Sequence, residues 1–462
     1  MSNYDLIIRN ATLVLPQGEQ LADIAIADER IAAIMPELEG SAQVSVDAQG
    51  LHVFPGLIDV HVHCNEPGRT EWEGFASATQ ALAAGGVTTF FDMPMNAHPP
   101  TLDRQSFQLK LAAAHSTSMV DFALWGGLTA DNRGHLEELA ACGVIGFKAF
   151  MCKSGSHDIA AADDLTLYEG MAQAAKLGRI VAVHAENEQM TSALARQALS
   201  EGRTSVRDYL RSRPIVAELE AIQRAILFAS ETGCALHIVH VSSGRGVAMV
   251  AEAQARGVDV SCETCPHYLL LTDEDVEHLG AVAKCAPPIR AQPEQDALWQ
   301  YVRDNSRVII SSNHSPVPAS MKTDENFFAA WSGISSCQST LSLLLSEGYH
   351  KRHVPLALIA AATGASVARR FRLPQKGKLV PGAEADFALV DLQQSYILTA
   401  NQLFYRHPQS PYLGRALRGK VVQTFLRGTL IYDRGQIVSE PNGRLLTAAG
   451  FRPRALVEGL GE

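Results

Sequence analysis

The sequence predicts an α/β chain: a (β/α)8, TIM-like barrel carrying a small β-sandwich domain formed by both chain ends. Three observations predict it. Short apolar runs alternate with helix-patterned segments through the middle of the chain, eight times over roughly 320 residues. Both ends read instead as strands and turns. And 462 residues, 47% hydrophobic and 19% charged, suffice for one large soluble domain plus a smaller one.

The first ~50 residues turn repeatedly. Leu6-Ile7-Ile8-Arg9-Asn10 and Thr12-Leu13-Val14-Leu15 read as short strands, then Ile24-Ala25-Ile26 and Ile31-Ala32-Ala33-Ile34, punctuated by Pro16, Gly18 and Asp28. The C-terminal part repeats the style at 387–390, 421–425 and 429–432. The expected small domain therefore takes residues 1–54 and 376–462, and the barrel takes 55–375. Its strands are expected at 57–63, 88–93, 121–126, 144–150, 180–184, 235–241, 258–263 and 307–312. Helical patterns lie between them, for example at 79–84, 136–141, 167–177, 217–232 and 246–255. A doubly wound open sheet is the alternative.

Composition narrows the partners. Net charge is 39 − 49 = −10, against a nucleic-acid partner, which needs a basic patch. No apolar stretch approaches the about 18 residues of a membrane helix, and the N-terminus lacks a signal-peptide pattern. The eight cysteines are dispersed, as expected of reduced thiols in the cytoplasm. Cys262-Glu263-Thr264-Cys265 has no second Cys pair to complete a zinc site.

Barrel active sites form at the C-terminal ends of the strands. The first strand ends in His61-Val62-His63, whose imidazoles share one face because side chains alternate along a strand. Such a pair is half a metal-ligand set or two hydrogen-bonded core histidines. The fifth strand ends in His184, the sixth in His240, the eighth in Asn313-His314. The fourth, Val144-Ile145-Gly146-Phe147-Lys148-Ala149-Phe150, carries a lysine in an apolar run. A buried ammonium would repel a metal. Lys148 either snorkels to a carboxylate or reacts with CO2 to give an anionic carbamate able to bridge two metal ions. His237, three residues before His240, is assigned to packing on the opposite face. His267 is a candidate for the site wall, and His314 orients rather than binds.

These motifs resemble the cyclic amidohydrolases of the amidohydrolase superfamily: dihydroorotases, hydantoinases (dihydropyrimidinases) and allantoinases. The resemblance runs through Pro55-Gly56-Leu57-Ile58-Asp59-Val60-His61-Val62-His63, the lysine strand, Val183-His184-Ala185-Glu186-Asn187 and His237-Ile238-Val239-His240-Val241-Ser242-Ser243. It implies two divalent ions, Zn before Mn, Co or Fe. His61 and His63 would hold the buried ion, His184 and His240 the exposed one, and carboxylated Lys148 would bridge them. It also implies substrate contacts from Asn96, Ala286, Ser315 and Gly333, and a homo-oligomer, tetramer or dimer.

The finer motifs are most similar to the allantoinase branch, among them 65–74, Asp92-Met93-Pro94-Met95-Asn96, Lys284-Cys285-Ala286-Pro287-Pro288-Ile289-Arg290 and 405–412. Dihydroorotases place a carboxylate-binding arginine where this chain has Asn65. Hydantoinases place a tyrosine in the loop after the lysine strand, here Cys152-Lys153-Ser154-Gly155. Both departures favour a neutral cyclic ureide, allantoin opened to allantoate, with hydantoinase-type activity or a non-catalytic homologue as alternatives. At Asn313 the family pattern has an aspartate that ligates metal and acts as general base. An amide oxygen can ligate but cannot accept and return a proton, so impaired activity is expected. An engineered replacement, a chemical change at that position and a natural divergent homologue are the competing accounts.

Overall fold

The computed structural model describes residues 3–153, 155, 159–304, 308–323 and 325–449. Expectations at Ser154, in the lysine-strand loop, and at the extreme ends of the small domain lie outside them.

Eight parallel strands form the barrel. Leu57–Val62, Val87–Asp92 and Asp121–Leu124 make one run. Gly126–Gly127, Gly146–Phe150, Ile180–His184, Leu236–Ile238, Val260–Thr264 and Val308–Ile310 make the other. The runs meet at Trp125, which breaks the third strand. Its N–H donates to the Asp92 carbonyl while the Ile145 N–H donates to Leu124. A parallel bridge between Val62 and His314 closes the circle. Helices follow the strands in turn, including Phe75–Ala84, Arg104–Thr117, Leu136–Cys142, Asp164–Lys176, Ile215–Thr232, Gly244–Ala255 and Gln292–Asp304. Their starts follow local chemistry: Asp103 and Ser106 cap each other's backbone, and Asp163 and Ser243 cap the N–H groups three residues on.

The barrel floor is a packed core, not a pore. Ile58, Val60, Phe91, Trp125, Ile145 and Ile309 fill it. Phe371, just after the helix Ser366–Arg370, plugs it from below, edge-on to Phe91 at 5.0 Å and Trp125 at 5.7 Å.

The strand-rich domain is one nine-stranded sheet built from both ends of the chain. Its seam is the short strand His52–Pro55, parallel to Asn3–Leu15 on one side and antiparallel to Phe387–Ile397 on the other. Leu6, Ile8, Ile24, Ile26, Val53, Phe387 and Phe425 share its core. The sheet corrects one reading. Residues 6–10 and 12–15 belong to a single strand, Asn3–Leu15, whose register slips between Ile8 and Ala11, with Asn10 at φ 58°. Arg9-Asn10 is a β-bulge rather than a turn.

Residues 443–446 return to the barrel. Gly443 N–H reaches Ser118, and the Phe122 N–H and carbonyl bond to Arg444 and Leu446. Beneath the third strand, Lys376 lies among Asp121, Asp386 and Glu384, and Arg427 pairs with Asp121. All eight cysteines are buried and free. Among the described residues, no helix is long and apolar enough to cross a membrane.

Candidate active site

The four strand-end histidines form one chain in space. Ring centroids are 5.4 Å apart for His63 and His61, 5.2 Å for His61 and His240, and 4.6 Å for His240 and His184. Burial holds all four pKa values below the ordinary imidazole range, that of His61 at about 4. They are therefore neutral at pH 7, the form that ligates a metal.

Two carboxylates orient them. Glu263 accepts from His61 Nδ1 at 2.5 Å and from His237 Nε2 at 3.0 Å. Burial opposes its ionisation, yet the two histidines outweigh burial and hold its carboxyl below the usual range. The bond at Nδ1 leaves His61 Nε2 for the site. Glu186 meets His184 Nε2 at 2.8 Å and pairs with Arg213 at 2.7 Å, so His184 offers Nδ1.

Lys148 is fully buried, and its Nζ has no hydrogen-bond partner among the described residues. It lies 5.1 Å from the Phe150 ring centroid, and Phe150 stacks on His184. Burial lowers its pKa to about 7, so a reactive neutral amine is available near neutral pH. Among the described residues no carboxylate hydrogen-bonds it, and Glu263 acts on it only through its charge.

A cavity of about 390 Å³ opens above the rings. His61, His63, His184, His240 and Asn313 line it, as do Asn96, Ala286, Ser315 and Gly333. Of the metal and substrate residues expected from sequence, Lys148 alone stays out of its wall. Asn313, three residues past the last strand, adopts a left-handed conformation, φ 46°. The Asn96 amide is 3.5 Å from His63 Nδ1. Gly333 sits at φ 155°, and a Cβ there would stand 2.4 Å from the Ser315 carbonyl oxygen. Only glycine allows that approach of the two loops.

Several participants escaped the sequence reading. Glu263 and Asp59 are charges inside apolar strands, the same signal that exposed Lys148. Asp59 accepts from the His61 and Ser312 N–H groups, with its pKa raised to about 7 by burial. His237 is not a packing residue. The sixth strand ends at Ile238 and His240 turns to φ 39°, so alternation does not carry from one histidine to the other, and His237 bonds Glu263. His267 is buried away from the cavity wall, its ring nitrogens without partners among the described residues. His314 accepts the Ser336 N–H at Nδ1 and exchanges backbone bonds with His61 and His63 of the first strand.

Neutral imidazoles gathered at the C-terminal rim of a closed barrel, above a buried lysine, stand where barrel enzymes place their active sites and have the chemistry of metal ligands. The amidohydrolase family model matches residues 52–431, and this chain belongs to that family. It is 58% identical to an allantoinase of Rubrobacter xylanophilus, over 96% of this chain and 98% of that one. It is 52% identical to an allantoinase of Deinococcus radiodurans, over 98% and 100%. Among solved structures, an L-hydantoinase (dihydropyrimidinase) from Arthrobacter aurescens superposes with a TM-score of 0.94 at 33% identity, covering 96% of this chain and all of that one.

Proposed function

We propose that this chain is a metal-dependent cyclic amidohydrolase that opens the ring of allantoin to allantoate, a step of ureide breakdown. The observation that carries the metal-dependent reading is Lys148: one unpartnered, fully buried amine whose charge is felt by His61, His63, His184 and His240 alike. The allantoinase relatives, at 58% and 52% identity, support the substrate.

The donor set fits a pair of divalent cations. Four neutral imidazoles surround the lysine, and the buried His240 Nδ1 is without a partner. Carboxylation would turn Lys148 from a repelling cation into a bridging anion, with His61 and His63 on one ion, His184 and His240 on the other, and Asn313 as an oxygen donor. Zn is favoured, with Mn, Co or Fe as alternatives. When bound, the ions supply a Lewis acid and a water of lowered pKa, from ~15.7 toward ~7.

The protein's own groups do the rest. Glu263 and Glu186 fix which nitrogen His61 and His184 present. The backbone at Ala286 and Gly333 and the Ser315 hydroxyl line the ring's seat, beside Asn96. No arginine answers a substrate carboxylate at Asn65, whose amide instead donates to the Pro316 carbonyl at 3.0 Å. A neutral ring is therefore favoured over dihydroorotate. Asn313 stands where a proton must be taken from water and returned to the leaving nitrogen, and its amide can do neither. Turnover by this chain is accordingly slow, and Asn313→Asp restores it.

The test is an assay of the native chain and Asn313→Asp on allantoin, hydantoin, dihydrouracil and dihydroorotate, with bound metal measured in both. Allantoin should be the best substrate of Asn313→Asp by kcat/KM. A protein without tightly held divalent metal, whose Asn313→Asp variant opens none of the four rings, would overturn the reading in favour of a non-catalytic homologue.

A further inference from the structure

Ala286 and Gly333 stand on two different loops, one after the seventh barrel strand and one after the eighth. Neither residue lies in a helix or a strand. The spacing between their backbones, on which a ring must sit, is therefore set by something other than regular structure.

Two lysines set it, each reaching from its own loop into the other. Lys322 Nζ donates to the Gly333 carbonyl at 2.5 Å, to the Trp331 carbonyl at 2.9 Å and, across to the first loop, to the Ala281 carbonyl at 3.0 Å. An ammonium has three N–H groups, and these three carbonyls match them. Lys284, two residues before Ala286, works in the opposite direction. Its Nζ donates to the carbonyls of Ala330, Phe327 and Phe328 at 2.5, 2.6 and 3.1 Å. Its own carbonyl accepts the Gly333 N–H at 2.8 Å. Gly333 is thus held on both sides, its N–H by Lys284 and its carbonyl by Lys322.

Tyr209 braces the same join. Its hydroxyl donates to the Cys285 carbonyl at 3.0 Å and lies 3.3 Å from the Ser332 hydroxyl, while its ring centroid is 4.5 Å from Lys284 Nζ. Burial and the charge of Lys284 lower the Lys322 pKa to about 7, so the two ammonium groups are near enough to repel. Carbonyl dipoles hold them together, through charge-assisted bonds stronger than those between neutral groups. A seat fixed on both sides discriminates by size. Hydantoin and dihydrouracil differ by one ring methylene, and a fitted pocket separates such a pair by roughly 10–200-fold.

We propose that Lys322 and Lys284 are positioning residues that hold the Ala286 and Gly333 backbones at one spacing, and thereby select a five-membered cyclic ureide over a ring one methylene larger. This selection rests on the cyclic-amidase reading above.

The experiment compares Asn313→Asp with Asn313→Asp/Lys322→Met, both metal-loaded and full-length, on allantoin, hydantoin and dihydrouracil. A ring that turns over slowly is measured as an inhibitor of allantoin opening. The parent should bind hydantoin at least about tenfold better than dihydrouracil. Lys322→Met should raise KM for allantoin about tenfold with kcat within about twofold, the mark of lost binding rather than lost chemistry. It should also bring the two test rings to within about threefold of each other. Amide exchange at Trp331 and Gly333, whose N–H groups donate to Met321 and Lys284, should quicken about tenfold or more. Lys322→Gln, with two N–H donors on a shorter arm, should fall between, and it carries the test if the methionine variant does not fold. Three results overturn the proposal. One is a ring preference absent from the parent or unchanged in the variants, which leaves the lysines to loop stability alone. Another is unchanged amide exchange, which shows that other ties hold Gly333. The third is a parent that opens none of the three rings. That failure belongs to the cyclic-amidase reading and is told apart because it occurs with Lys322 in place.

Discussion

Two lysines are buried at opposite ends of the same barrel, and their surroundings could hardly differ more. Lys376, beneath the third strand, is enclosed by Asp121, Asp386 and Glu384. Burial works against its charge, but the three carboxylates outweigh burial and raise its pKa. Lys148, under the histidines, has no partner, and burial alone brings it down to about 7. The first lysine ties the barrel to the strand-rich domain. The second is poised for chemistry. A buried charge surrounded by counter-charges is architecture, whereas one left alone in a polar cluster is a reactive group or awaits one.

The comparison breaks most sharply at Lys148. Lys148→Ala should lose most bound metal, and in an Asn313→Asp background should lose about 10⁴-fold in kcat, some 5.4 kcal/mol. Short carboxylic acids should restore part of both by supplying the missing oxygens. Metal analysis and turnover with and without added acid check this, and unchanged metal content would sink the bridging carbamate.

Lys376→Met should do the reverse. Removing one member of a buried ionic cluster leaves carboxylates uncompensated, at about 3–5 kcal/mol. Denaturant unfolding should show that loss while the folded fraction retains its metal. If the two variants exchanged these phenotypes, the division between architectural and reactive lysine would be wrong.

Glu263→Gln tests a finer division, between ligands and the groups that aim them. An amide keeps the size but weakens the hold on His61 Nδ1 and His237. Metal affinity should fall about 10–100-fold, measured by competition with a chelator. A wild-type affinity would mean that His61 is oriented by its strand alone.

The fold was legible because its two rhythms are physically distinct. Eight apolar runs with helices between them can bury both faces only by closing or by stacking layers, and the first strand's Val62 pairing with His314 shows which. The histidines were legible because each ends a strand, where a barrel gathers residues distant in sequence. Two things were hidden. Local breaks in alternation, at Asn10 in the first long strand and at His240, come from left-handed residues that apolar periodicity does not register. Strict alternation therefore puts His237 on the wrong side. Glu263 was hidden for another reason: it sits inside a strand between Cys262 and Cys265, a spacing with a chemical reading of its own. A charge inside an apolar strand, the signal at Lys148, marks Glu263 and Asp59 as well.

A third buried charge carries the comparison to the acidic side. Glu73 lies in the loop after the first barrel strand, fully buried, with Oε2 unpartnered. Its other oxygen accepts the Arg406 N–H at 3.4 Å, and the Ser77 hydroxyl and the Arg406 charge also favour its ionised form. Burial outweighs the Ser77 hydroxyl and the Arg406 charge and raises its pKa from 4.5 to about 8, so that, like Lys148, it is pushed toward its neutral form. Between pH 5 and 8 the folded protein therefore keeps a proton that the unfolded chain has released. Stability falls with rising pH wherever the folded state binds more protons, by roughly 1 kcal/mol per pH unit for one such group. Glu73→Gln cannot release that proton. Its stability relative to the native chain should climb steadily from about pH 5 to about pH 8 and then level off. Chemical denaturation of both proteins across that range measures the difference. A flat difference would mean that Glu73 is ionised in the folded state and has found a partner, as Lys376 has.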